Sequence, residues 1–187
     1  MEPLPFQLEI EPMDLGADVK AVGLELIKPE SREPVRGPDA ARTWAAVLTA
    51  LAGDEPWALD FFSHADRVRD FCTRHSISFR DTGPRSLVVA PPGVESLEAL
   101  FTRFEGETFG VRAGGPLATG DAALEPDLAR RGVDAYHPAY GNYLFCAVCD
   151  FENGFLTLLT NRLWASEVIR RVRPALDGLP VSVFRPH

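Results

Sequence analysis

Tyr143-Leu-Phe-Cys-Ala-Val-Cys-Asp-Phe-Glu-Asn-Gly-Phe-Leu-Thr-Leu-Leu-Thr160 supports two competing readings. Cys146-x-x-Cys149 has the spacing of a thiol redox or metal pair. Asn153-Gly154 between two apolar runs is the strongest short signal for a β-hairpin, because both of its central residues accept positive φ. The surroundings favour the hairpin. A reactive thiol needs a helix N-terminus or a nearby cation to lower its pKa. Here Leu144, Phe145, Ala147, Val148 and Phe151 flank the pair instead. On a regular strand, residues i and i+3 point to opposite faces, so the two sulfurs diverge. Free cysteine packs as a small hydrophobe, and that is the role expected of both.

A Cys3His zinc set with Cys72 and His75 fails on spacing. Its two pairs stand about seventy residues apart, whereas zinc pairs usually bracket a short loop. No metal and no cofactor is expected.

Downstream of the hairpin, Asn161 is read as the cap of a helix whose Trp164, Val168, Ile169 and Val172 share a face. Pro174 ends that helix, and Val181-Ser-Val-Phe184 closes the chain as a strand. Upstream, residues 106–140 look irregular, with Gly114-Gly-Pro116, Thr119-Gly-Asp121 and at most a short helix near 125–131. A helix over 95–105 buries Leu97, Leu100, Phe101 and Phe104, and Leu87-Val-Val-Ala90 is a short strand. From residue 86 onward the predicted order is β-α-(long connection)-β-β-α-β, the element order of a ferredoxin-like unit. That fold hosts many unrelated activities and carries no function by itself.

In the N-terminal half, Phe6–Ile10 and Lys20–Ile27 alternate like strands, with a turn-rich Met13–Asp18 between them. Asp39 is expected to cap a helix over 40–52 that buries Trp44, Val47, Leu48 and Leu51 and stops at Gly53. Trp57–Cys72 reads either as one helix or as a strand, a capping turn at Ser63 and a helix over 64–74. The second reading gives each apolar run a length typical of its type. The fold class expected is α+β: a mixed or antiparallel sheet packed with helices. It forms a single domain over 1–187, with two subdomains, 1–82 and 83–187, as a variant.

The bulk numbers narrow the function. At 187 residues, with 45% hydrophobic and 25% charged side chains, the chain buries an ordinary core without disulfides or metal. The net charge is −8, and residues 1–60 hold 12 acidic against 5 basic side chains. Such a chain repels phosphate backbones, so no nucleic-acid partner is expected. The three arginines Arg170, Arg171 and Arg173 fall near a helix end, where cations complement the dipole. Only Lys20 and Lys28 are lysines, and neither lies in a motif. Three cysteines, no secretory leader pattern and no long apolar run point to a soluble cytoplasmic protein without a membrane partner.

No catalytic constellation emerges. No nucleophile sits in a recognisable elbow, and Gly114–Gly120 lacks the Gly-Lys-Ser/Thr ending of a phosphate loop. His64, His75 and His187 fall at a turn, a helix end and the terminus. The one polar concentration precedes the central hairpin, where Arg130, Arg131, Asp134, His137 and Tyr140 stand on a loop that a rigid sheet would hold. Two functions follow as expectations. The first is a non-enzymatic binding protein whose acidic N-terminal surface meets a basic protein partner. The alternative is a small-molecule binder or enzyme using residues 130–142 as its ligand site.

Overall fold

The computed structural model describes residues 6–14, 20–61, 65–83, 86–89, 93–115, 117, 143–160 and 162–184. In chain order the described elements are β1 (Gln7–Asp14), β2 (Lys20–Ile27), α1 (Pro38–Ala52), β3 (Trp57–Phe61), α2 (Ala65–Arg74), β4 (Phe79–Gly83) and β5 (Ser86–Val89). Then follow α3 (Val94–Arg103), β6 (Phe109–Ala113), β7 (Phe145–Asp150), β8 (Phe155–Leu159), α4 (Ala165–Val172), a 3-10 turn (Arg173–Ala175) and β9 (Val181–Val183).

The strands form one sheet in the order β4-β5-β3-β6-β7-β8-β2-β1-β9. Every described pairing is antiparallel except that of β1 with β9. The α+β class with a mostly antiparallel sheet is therefore as expected. The strand–helix division of Trp57–Cys72 also holds, although Ser63 and His64 lie outside the described residues.

Strand alternation sorts the side chains onto two faces. Leu8, Ile10, Val22, Leu24, Leu26, Trp57, Leu59, Val111, Phe145, Ala147, Leu156 and Leu158 belong to one apolar cluster with the helices. Trp44, Val47, Leu48 and Leu51 of α1 are fully buried in it, as their helical spacing predicts. Val68, Phe71 and Cys72 of α2, and Val168 and Val172 of α4, join the same cluster. The described helices thus lie on one side of the sheet.

Three local expectations need correction. Register pairs Asp150 with Phe155, so the hairpin loop holds four residues, Phe151 to Gly154, rather than Asn-Gly alone. Only Gly154 takes positive φ, at 68°. Its N–H donates to the Phe151 carbonyl at 3.1 Å, and the Asp150 carboxylate accepts from the backbone and side chain of Asn153. The longer loop turns Phe151 inward, stacked on Trp44 and edge-on to Phe101. The second correction concerns α1, which starts at Pro38 behind Gly37. The Glu105 carboxylate just beyond α3, and not Asp39, accepts the Gly37 N–H. Third, Trp164 is the N-cap residue of α4 and is 58% exposed, so it does not share the buried face of Val168 and Val172.

The ferredoxin-like order expected of the C-terminal half is interrupted. A strand unforeseen in the sequence, β6, pairs directly with β7, and β9 leaves that half to join β1. The order β-α-β-β-α-β occurs instead over β3-α2-β4-β5-α3-β6, whose strands lie as β4-β5-β3-β6. Position 82, taken as a subdomain boundary, falls inside β4.

Candidate binding surface

The face of the sheet opposite helices α1 to α4 carries the unusual polar chemistry. Asp60 on β3 and Arg112 on β6 are 3% and 1% exposed. Arg112 donates from Nε to Oδ2 and from Nη2 to Oδ1 of Asp60, both at 2.7 Å, and from Nη1 to the Tyr143 hydroxyl at 3.1 Å. Such a fork matches the planar guanidinium to both carboxylate oxygens. Burial weighs against the Arg112 charge, but the Asp60 carboxylate outweighs it and holds the guanidinium protonated.

Cys146 lies beside this pair, opposite Arg112 in register, in a cluster with Ala58, Leu117 and Tyr143. Cys149 faces the helices. The two thiols therefore lie on opposite sides of β7, as alternation requires. Burial pushes both thiols up, and pushes the Cys72 thiol up to about 11. All three are buried and free. Among the described residues no group of His, Cys, Asp or Glu comes together in a way that could hold a metal ion. No helix among them is long and apolar enough to cross a membrane.

Farther along the same face, toward the β9 edge, acids converge. Glu9 of β1 stands directly opposite Glu25 of β2, and Glu11 is the next residue of β1 on that face. Like charges directly opposite on paired strands repel. Arg32, from the connection after β2, donates to Glu9 Oε1 at 2.6 Å, and Gln7 Nε2 donates to the same oxygen at 2.8 Å. Glu9, Glu11, Glu25, Arg32 and Phe184 line a concavity of about 160 Å³. Arg32 is the one cation in that lining among the described residues, against three carboxylates.

The residues singled out from sequence as a ligand site, Arg130, Arg131, Asp134, His137 and Tyr140, lie outside the described residues. The last residue described before that segment, Leu117, and the first after it, Tyr143, both pack in the cluster around Cys146. Of the histidines only His75 is described, exposed and stacked on Phe71 at 4.0 Å between ring centroids. Sequence reasoning missed the Asp60–Arg112 pair and the Glu9–Glu25–Arg32 group. Alternation places Glu9 and Glu11 on one face, but the return of Arg32 onto Glu9 has no sequence signal.

Compared with family models, curated proteins and solved structures, the chain matches none.

Proposed function

We propose that the protein is a non-catalytic binding protein whose acidic β1–β2 face meets a basic protein partner. The observation that supports this best is the convergence of Glu9, Glu11 and Glu25 on one face with Arg32 as the lining cation. A net charge of −8 adds a field that steers cations inward and repels phosphate backbones, so the partner is not nucleic acid. Three free, buried cysteines fit a reducing, cytoplasmic setting. In fold terms we read the chain as one domain, with Trp57–Ala113 as its ferredoxin-like unit.

The test compares two charge-matched triple variants in affinity capture followed by identification of the captured protein. E9Q/E11Q/E25Q is expected to lose a basic partner, while E95Q/E98Q/E152Q keeps it. Equal capture by both variants overturns the reading. So does substrate turnover in an activity screen by a protein that captures nothing.

The alternative, a small-molecule pocket or active site using Arg130, Arg131, Asp134, His137 and Tyr140, has one supporting observation. Leu117 and Tyr143, which bound the undescribed stretch around it, pack on the face that carries Asp60 and Arg112. A metabolite panel in a thermal-shift assay tests it. A ligand that stabilises the protein but not H137N/R131M supports the pocket, and an empty panel counts against it.

A further inference from the structure

We propose that the outer edge of β9 receives an extended basic segment of the partner as an added strand, with its cationic side chains directed to Glu9 and Glu11. This rests on the acidic-face reading above and names how the partner is held.

Among the described residues β9 is the last strand of the sheet. The Pro180 carbonyl accepts from Leu8 N, and Phe184 N donates to the Ile10 carbonyl, each at 2.9 Å. The even-numbered residues of this strand therefore turn their backbone toward β1. By alternation the N–H and C=O groups of Val181 and Val183 point outward, which is the template an added strand needs.

The edge is also apolar. Val183 and Phe184 are 41% and 44% exposed, and they are two of the three exposed large hydrophobics among the described residues. Ser182 pairs with Glu9, so Ser182 and, two residues on, Phe184 share the acidic face. Phe184 lines the same concavity as Glu9, Glu11 and Glu25. Strands lie ~4.8 Å apart, so β1 stands ~10 Å from an added strand. A lysine or arginine side chain meeting a glutamate side chain closes that gap.

Charge selects the occupant. A second copy of this chain would bring one acidic edge against another, and like charges across paired strands repel. A basic segment meets the opposite sign. β9 spans only Val181–Val183, so two of its residues, Val181 and Val183, turn their backbone groups outward. Backbone pairing alone is therefore weak, and Phe184 with the two carboxylates must supply selectivity.

The probe is an acetylated, amidated octapeptide of alternating lysine and valine. Two further versions are N-methylated on one or the other set of alternate residues. Binding is read by fluorescence anisotropy at two salt concentrations and by amide NMR shifts. The plain peptide is expected to bind and to shift Val181 to Phe184. One N-methylated version should bind at least tenfold more weakly, and E9Q/E11Q should weaken binding and flatten its salt dependence. If both methylated peptides bind as well as the plain one while E9Q/E11Q abolishes binding, strand addition is overturned and the acidic-face reading stands. Binding indifferent to E9Q/E11Q and to E25Q overturns both. A dimer of the chain alone that is lost in Val183→Pro also overturns this inference.

Discussion

Arg112 and Asp60 meet through two parallel hydrogen bonds of 2.7 Å across paired strands, each side chain about as buried as the core leucines around it. Removing one partner leaves the other charge buried without compensation, which costs about 3–5 kcal/mol. Arg112→Met and Asp60→Leu are each expected to lose that much stability. The double variant should recover most of the loss, because two apolar groups leave nothing unpaired. Urea denaturation of the four proteins in a double-mutant cycle measures it.

Gly154 packs its turn against the connection after β2. At φ 68°, a Cβ would stand 2.7 Å from the Pro34 Cβ and 3.0 Å from the Leu26 carbonyl oxygen. Gly154→Ala is expected to lose about 2 kcal/mol or more, from the left-handed backbone and the contact together. Asn153→Ala, whose side chain only reaches the exposed Asp150 carboxylate, should lose under ~1 kcal/mol. Thermal melts of both variants check the contrast.

Helix α1 is held at both ends from elsewhere in the chain. Glu105 accepts the Gly37 N–H at its start, and Arg171 donates to the Leu51 carbonyl near its end at 2.9 Å. Glu105→Ala and Arg171→Ala should each cost about 1 kcal/mol. The two sites lie ~20 Å apart along the helix, so the losses should add within about 0.5 kcal/mol in denaturant titrations.

Hydrogen bonds from Arg170, and then from Arg171, hold the Glu167 carboxyl down at about 2. Its folded-state pKa is depressed, so its contribution to stability is present above the ordinary carboxyl range and is lost as pH falls toward 2. A pH series of urea midpoints for wild type and Glu167→Gln should converge at the acid end. An NMR titration of Glu167 should give an apparent pKa well below that of a free glutamate.

All three thiols are buried, and burial raises their pKa values. Native protein is expected to react with a disulfide reagent at least a hundredfold more slowly than the same protein in denaturant. Alkylated Cys146 should destabilise the fold, since it lies against Arg112 and Tyr143.

Elements governed by local periodicity were legible in the chain. Helices α1 and α3 and the hairpin strands follow from the spacing of Trp44, Val47, Leu48 and Leu51, of Leu97, Leu100 and Phe101, and from the runs around Asn153-Gly154. Strand β6 was not legible. Phe109-Gly-Val-Arg-Ala113 places a glycine and an arginine where a half-buried strand exposes polar groups, and nothing local says that Arg112 is buried. The acidic concavity was legible only in part, because its third carboxylate and its cation come from β2 and the connection beyond it.

The sequence by itself determined the α+β class, the buried faces of α1 and α3 and the divergence of Cys146 from Cys149, since each depends on the geometry of one element. Only the tertiary structure decided that Arg112 is a core residue, that β9 joins β1, and that Glu9, Glu25, Arg32 and Phe184 meet. Those depend on pairing between distant segments. A buried charge is tolerated only once its partner has arrived, and Asp60 arrives from 52 residues away.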